Sequence, residues 1–389
     1  MTHYSTEIAV VGGGVCGLWV LNLLRSAGYQ ACLFEKGALG QNQTLASQGM
    51  IHGGIKYALG GFTTPASETI ASMPATWRAC IAGTGPINLS GVPVLSDDYY
   101  LFSDGALGAK VTAFFASKSL RGRVNGIERK DYPQAFQSPL FRGNLYKLQD
   151  MVVDTSALLE SLRSAHSDFI FKADVKANQE NGSVSSLTLN NQDSITADQY
   201  IFAGGEGNDA LLSQLDFVPI EMQRRPLKQV LVKGNLPSIY AHAVSLKDAN
   251  KPRLTITTHP MRDGDKVWYL GGNLAEQGVG MSETDLIVRA KQELGALLPW
   301  VDLSAATFKT LDIDRAEPAQ KSHGRPDVPY ASQSKNAIFC WPTKLTLTPL
   351  LGDEVLQMLP KPRQATWQIP NLPLAQVADT PWEIAFAGT

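Results

Sequence analysis

Ile8-Ala9-Val10-Val11-Gly12-Gly13-Gly14-Val15-Cys16-Gly17 is the stretch on which the reading of this chain turns. Its apolar start suits a strand buried on both faces, and the glycines that follow fit G-x-G-x-x-G. Residues 15–26 then read as a helix closed by Gly28, and residues 31–34 as a second strand ending on Glu35. In such a unit Gly12 makes the tight turn, Gly14 lets the backbone approach a pyrophosphate, and Gly17 lets the helix lie close to the strand. The helix N-terminus faces the phosphates. Glu35 stands 21 residues after Gly14, where a carboxylate accepts from a ribose hydroxyl, with Lys36 beside it. The stretch predicts a dinucleotide site without choosing between NAD and FAD.

Outward from this unit, 389 residues suffice for two or three domains, and the composition, 44% hydrophobic and 18% charged, is that of a globular protein. A net charge of −2 offers no basic excess for a phosphate backbone, so nucleic acid is not an expected partner. Cys16, Cys32, Cys80 and Cys340 include no C-x-x-C pair and read as free thiols in a reducing cytoplasm. No metal is expected. Residues 8–24 are apolar but broken by glycines and preceded by Glu7, which argues against a signal peptide or membrane anchor. The expected location is cytoplasmic, with room for peripheral membrane association and no transmembrane segment.

The choice of dinucleotide comes from later segments. Ser47-Gln48-Gly49-Met50-Ile51-His52-Gly53-Gly54-Ile55-Lys56-Tyr57 resembles the SxxxIHGGxRY stretch of FAD-dependent glycerol-3-phosphate dehydrogenases, with Lys56 in place of Arg. Met151-Val152-Val153-Asp154 and Tyr200-Ile201-Phe202-Ala203-Gly204-Gly205-Glu206-Gly207 resemble the helix entry and the returning glycine-rich turn of the D-amino-acid oxidase superfamily. The resemblance implies FAD, held without a covalent bond, and an α/β fold. A Rossmann-like FAD-binding domain of the glutathione-reductase type would carry an inserted antiparallel-sheet α+β substrate domain. It implies flavin contacts from Ser47, Gln48, Gly49, His52, Gly53, Ala203, Gly204 and Gly205. Val175 matches either the strand residue whose backbone meets the adenine or an ordinary strand valine.

Asp314-Arg315-Ala316-Glu317-Pro318 and Gly324-Arg325-Pro326 resemble the GxRP region that leads back to the flavin. Phe339-Cys340-Trp341-Pro342-Thr343-Lys344-Leu345-Thr346 then stands where the superfamily has GxGGxG, but without the glycines. Backbone N–H groups near Leu345 and Thr346 would have to meet the ring from a helix start, whose dipole favours negative charge there.

Residues 1–86, 146–217 and 312–364 are accordingly assigned to FAD binding, 87–145 and 218–311 to the substrate domain, and 365–389 to a C-terminal extension. Strand patterns at 229–232, 254–258 and 267–270, an Asp263-Gly264 hairpin signal and an amphipathic helix from Ser282 support the insertion. Arg224, Arg225, Lys228, His259, Arg315, Arg325 and Lys344 are candidate cations for an anionic substrate, against the ordinary alternative of solvated surface charges. His52 is the candidate base and Lys344 its catalytic partner.

The expected reaction moves a hydride from a small anionic hydroxy compound, a glycerol-3-phosphate-like molecule or 2-hydroxy acid, to flavin N5. Amine or amino-acid oxidation, a nicotinamide-dependent dehydrogenase and a non-catalytic flavin-binding protein are the rivals. The electron acceptor (oxygen, a quinone or a carrier protein) is left open.

Overall fold

The computed structural model describes residues 2–54, 65–103, 124–244, 252–320 and 326–388. Its opening strand, His3–Val11, lies in the middle of a mixed sheet, which is why residues 8–11 carry no polar side chain. On one flank it pairs in parallel with Ala31–Glu35, Ile8 facing Ala31 and Val11 facing Phe34. The other flank takes Asp193–Phe202, also parallel. Ile170–Lys172 extends the sheet beyond Ala31–Glu35, and an antiparallel hairpin, Val175–Glu180 with Ser183–Leu189, closes the far side. The end of Asp193–Phe202 also pairs with Ala337–Trp341, which brings residues from the last quarter of the chain beside the glycine turn.

Helix Val15–Ser26 is buried through its first ten residues because it is covered on both sides. It packs between the sheet, helix Thr155–Ser164 and helix Thr348–Gln357. Gly28, at φ +93°, ends it in a conformation that side chains resist. Asp154 caps Thr155–Ser164 by accepting from the Ala157 N–H at 2.9 Å, so the Met-Val-Val-Asp stretch is a short strand followed by a capped helix.

A second eight-stranded sheet runs in the order Thr307–Pro318, Met222–Gly234, Lys266–Gly271, Leu254–Pro260, Ala241–Ala243, Tyr99–Phe102, Leu145–Leu148, Val124–Gly126. All neighbours are antiparallel except Ala241–Ala243 with Tyr99–Phe102. The hairpin at Asp263-Gly264 and the helix Glu283–Leu297, capped by Ser282, fall where the sequence pattern puts them. Leu286, Ala290 and Leu294 bury that helix against the second core. Thr307–Pro318 pairs along its length with Met222–Gly234, so Arg315 and Glu317 belong to this sheet. Leu145–Leu148 belongs to it as well.

Residues 359–388 cross the first sheet and end on the second. The Leu39 N–H donates to the Gln376 carbonyl and the Leu39 carbonyl accepts from Ala378 N–H, at 2.8 and 3.1 Å. Helix Pro381–Ala385 then places Trp382 on the ring of His259, with centroids 4.5 Å apart. Among the described residues no helix is long and apolar enough to cross a membrane.

Candidate active site

The three fingerprint glycines meet different neighbours. A Cβ on Gly12, whose φ is +110°, would stand 2.6 Å from the Ala203 carbonyl, and one on Gly17 would stand 1.9 Å from the Gly12 carbonyl. Both glycines are therefore demanded by the protein's own packing. A Cβ on Gly14 meets only the Thr44 hydroxyl, at 3.2 Å, and otherwise projects into open space. That space is the end of a cavity of about 920 Å³, within the size range of cofactor sites. Helix Val15–Ser26 begins there with no side-chain cap and no acid in its first turn, which leaves its N-terminus suited to phosphate.

Glu35 closes the same end of the cavity. Its carboxylate accepts from Gly13 N–H at 2.7 Å and Gly37 N–H at 2.8 Å, which fixes it at the edge of the glycine turn. Ala203, Gly204 and Gly205 form the facing wall. Asn208 holds that turn by accepting from Gly204 N–H and donating to the Phe202 carbonyl, at 2.9 and 3.2 Å. The segment 38–48, which the sequence reading used only from Ser47 onward, supplies much of the remaining wall. Its signal was present: a run of small and polar residues, Gly40-Gln41-Asn42-Gln43-Thr44, between apolar elements.

From the glycine turn the cavity continues to a chamber between the two sheets, where Ser47, Gln48, His52, His242, Arg225, Arg315, Lys344 and Leu345 all line it. His52 is buried, and its carbonyl accepts from the Thr346 hydroxyl at 3.1 Å. The next residue is anchored too, Gly53 N–H donating to Asp150 at 2.8 Å. Lys344 is buried with its ammonium 3.3 Å from Asp327. In place of a glycine loop, Leu345–Leu347 forms one 3₁₀ turn that runs into helix Thr348–Gln357. Leu345 reaches the cavity, while Thr346 lies behind it.

The other expected site residues stand elsewhere. Gly17, Gly49 and Gly53 are buried beneath the wall, and the Lys36 side chain is exposed. Val175 begins the antiparallel hairpin opposite Leu189, after the parallel strand has ended. Arg224 pairs with Glu206 and Asp209 at 3.1 and 3.2 Å, and Lys228 donates to the Met281 carbonyl at 2.9 Å; neither lines the cavity. His259 is buried outside it, between Thr257 and Trp382, and burial pushes its imidazole down to about 3. Lys56, Tyr57 and Arg325 fall outside the described residues.

Sequence reasoning also passed over a polar joint between loop and sheet. Gln48 donates to the Tyr269 carbonyl at 2.7 Å, and the Tyr269 hydroxyl lies 2.6 Å from the Ala46 carbonyl and 2.7 Å from the Gln229 amide. Burial raises the Tyr269 pKa, so the phenol stays neutral. On the far wall His242 is fixed by a 2.9 Å hydrogen bond between Nδ1 and the Thr255 hydroxyl and by packing on Tyr99. A histidine between two alanines in a three-residue strand carries no sequence signal.

A nucleotide end and a chamber lined by titratable groups, joined in one cavity, define a dinucleotide-dependent redox enzyme. The chain belongs to the FAD dependent oxidoreductase (DAO) family, whose model matches residues 7–302, and it is a flavoenzyme with FAD as cofactor. It is 43% identical over 392 residues to "Probable FAD-dependent oxidoreductase PA4991" of Pseudomonas aeruginosa, covering 98% of this chain and 99% of that one. The crystal structure of PA4991 superposes with a TM-score of 0.86 at 38% identity over all of both chains. Glycine oxidase of Bacillus cereus (TM-score 0.63, 18% identity, 92% of this chain and 96% of that one) shares the fold. So does L-α-glycerophosphate oxidase of Mycoplasma pneumoniae with FAD bound (TM-score 0.66, 14% identity, 94% and 97%).

Proposed function

We propose that this oxidoreductase acts on a small anionic hydroxy compound, a 2-hydroxy acid or a glycerol-3-phosphate-like molecule, with FAD lying from the Gly12 turn to the chamber at His52 and Lys344. The observation that carries the reading is the continuity of the cavity, which joins the open space at Gly14 to the buried His52 and Lys344 and to the half-buried Arg315. When bound, FAD supplies the two-electron acceptor for the carbon being oxidised. Gly12, Gly14, Glu35, Ser47, Gln48, Ala203, Gly204, Gly205 and Leu345 would hold it.

The chain's own groups have separate tasks. His52 accepts the proton of the substrate hydroxyl, and the peptide group that follows it is held by Thr346 at the carbonyl and by Asp150 at the Gly53 N–H, which steadies the backbone that carries the ring. Lys344 and Arg315 supply cations to the anionic end of the substrate. Burial of Lys344, with Asp327 as its counter-charge, keeps the ammonium in place without exposing it to competing water.

Amino-acid oxidation is the second reading, favoured by the carboxylates of Glu276 and Asp327 in the same wall, which suit an ammonium group. Anaerobic mixing of the yellow holoenzyme with glycolate, lactate and glycerol-3-phosphate, and in parallel with glycine, sarcosine and proline, separates the two. Loss of visible flavin absorbance with a member of the first set is the expected result. Bleaching by the amines alone would overturn the hydroxy-compound reading.

A further inference from the structure

Cys16 and Cys340 are 324 positions apart in the chain, and their sulfurs meet at 3.7 Å. Cys16 lies in the first turn of helix Val15–Ser26, and Cys340 is the next-to-last residue of strand Ala337–Trp341. The contact therefore joins the phosphate-facing end of the helix to the strand that returns from the last quarter of the chain. Its protons are ordered. The Cys340 thiol donates to the Phe202 carbonyl at 3.8 Å, which leaves the Cys340 sulfur to accept from Cys16. That hydrogen bond and burial hold the Cys16 pKa well above the ordinary thiol range, so Cys16 keeps its proton at neutral pH.

Buried thiols are usually inert packing, and Cys32 and Cys80 fit that description. The cavity separates the other two from them. Cys16 and Cys340 line it beside Gly14, Val15 and Trp341, whereas Cys32 and Cys80 do not. The little surface that Cys16 and Cys340 keep, 5% and 1%, opens on the cofactor end of the cavity, where a small oxidant reaches it and a bound dinucleotide covers it. A disulfide holds its sulfurs about 2 Å apart, so a bond here must close the gap by about 1.7 Å. Rotation of the thiols supplies part of that, and the rest draws the helix start towards the strand. The N–H groups of the same first turn are those that face phosphate, so the movement spoils the cofactor's seat.

We propose that Cys16 and Cys340 are a redox-sensitive pair that hydrogen peroxide closes to a disulfide when FAD is absent, and that the closed pair hinders the return of FAD. One sulfur takes an oxygen from the peroxide as the O–O bond breaks, giving a sulfenic acid and water. The second thiol then attacks that sulfur, the S–O bond breaks and a second water leaves. The thiols give up two electrons and two protons, and the peroxide takes up both. The inference rests on the placement of FAD at the Gly14 turn and is independent of the substrate.

The test compares the holoenzyme with the same full-length chain after removal of FAD, each treated with hydrogen peroxide at neutral and at mildly alkaline pH. Non-reducing digestion and mass spectrometry read the crosslink as the peptides of Cys16 and Cys340 joined with loss of two hydrogens, and flavin absorbance after gel filtration reads FAD uptake. The stripped chain should crosslink about tenfold faster than the holoenzyme or more, because susceptibility follows exposure. It should react faster still in alkali, where more of the attacking thiolate is present. Once crosslinked, it should take up FAD severalfold more weakly and recover in dithiothreitol. Cys16→Ala and Cys340→Ala should each abolish the crosslink, so that peroxide no longer changes FAD uptake by either variant, and Cys80→Ala should alter neither result. The wild-type comparison stands even where a variant fails to fold. A stripped chain in which peroxide leaves the two cysteines unjoined, a crosslink that forms as fast with FAD bound, or full FAD uptake by the crosslinked chain overturns the proposal. Failure of the cofactor's placement shows separately, as a Gly14→Val variant that keeps its flavin.

Discussion

Which cation meets the cavity is decided by parity. Along Met222–Gly234, Arg225, Leu227 and Gln229 line the cavity, with Pro226 between them, whereas Arg224 and Lys228 do not and take Glu206, Asp209 and the Met281 carbonyl as partners. Gly14 is a similar case of one position with one task, because only Thr44 stands near its absent side chain. Gly14→Val is expected to purify folded but colourless, as its side chain fills the space of the pyrophosphate. Gly17→Ala should instead lose soluble protein, since its Cβ would lie 1.9 Å from the Gly12 carbonyl. Flavin content and circular dichroism of the two variants separate these outcomes, and a normal yellow Gly14→Val would show that the dinucleotide lies elsewhere. His52→Ala should keep FAD and slow flavin reduction by about 10²- to 10⁴-fold, the usual contribution of a general base. It should also flatten the acid limb of the rate profile, because protonation of the base no longer limits the reaction. Lys344→Met should chiefly raise the substrate concentration needed. Stopped-flow reduction across pH checks both, and an unchanged rate in His52→Ala would leave that histidine as a neighbour only.

Among the elements, the segment after residue 358 shows what could be read from sequence and what could not. The opening strand, helix and second strand were legible because burial on both faces, a glycine turn and a carboxylate at the strand end each leave a local mark. Residues 365–388 have no such periodicity, and their role is set by partners far earlier in the chain, from Ser5 and Leu39 to Lys172 and His259. A shorter separation hides Arg225 as well: its ion pair with Glu317, 92 positions later, comes from a strand register that only the folded sheet creates. Leu39 lies against Gly13, and its backbone is clamped by Gln376 and Ala378. Trp382 then fixes the end of the segment on His259. Trp382→Ala should therefore cost about 3–5 kcal/mol, as expected for a buried aromatic. Truncation after residue 360 should release FAD as well, because the loop beside Glu35 loses its support. Denaturant unfolding and flavin retention on dilution measure the two effects; a truncated protein with full flavin content would show that the segment supports only the second sheet.

At the scale of the whole molecule the cavity lies between two separately cored sheets, so anything that loosens their junction opens it. The C-terminal segment that crosses the first sheet makes its own junction with the second at His259, which has Thr257 on one side and Trp382 on the other. Burial lowers its pKa from the ordinary 6.5 to about 3, which means that the folded protein holds the ring neutral while the unfolded chain protonates it near 6.5. A histidine depressed in this direction contributes stability above the unfolded value, and that stability falls as pH drops from 6.5 towards 3, where the folded ring finally protonates. The steepest loss is about 1.4 kcal/mol per pH unit. His259→Phe keeps an aromatic ring against Trp382 and removes the titration, so the variant should lose less stability than the wild type between about pH 6.5 and pH 4. Other groups titrate in that interval, and the difference between the two proteins isolates this one. Urea unfolding at a series of pH values, followed by tryptophan fluorescence and flavin release together, is the measurement. Parallel pH dependences would mean that His259 is protonated in the folded protein, and the acid sensitivity of the junction would then have to come from its carboxylates.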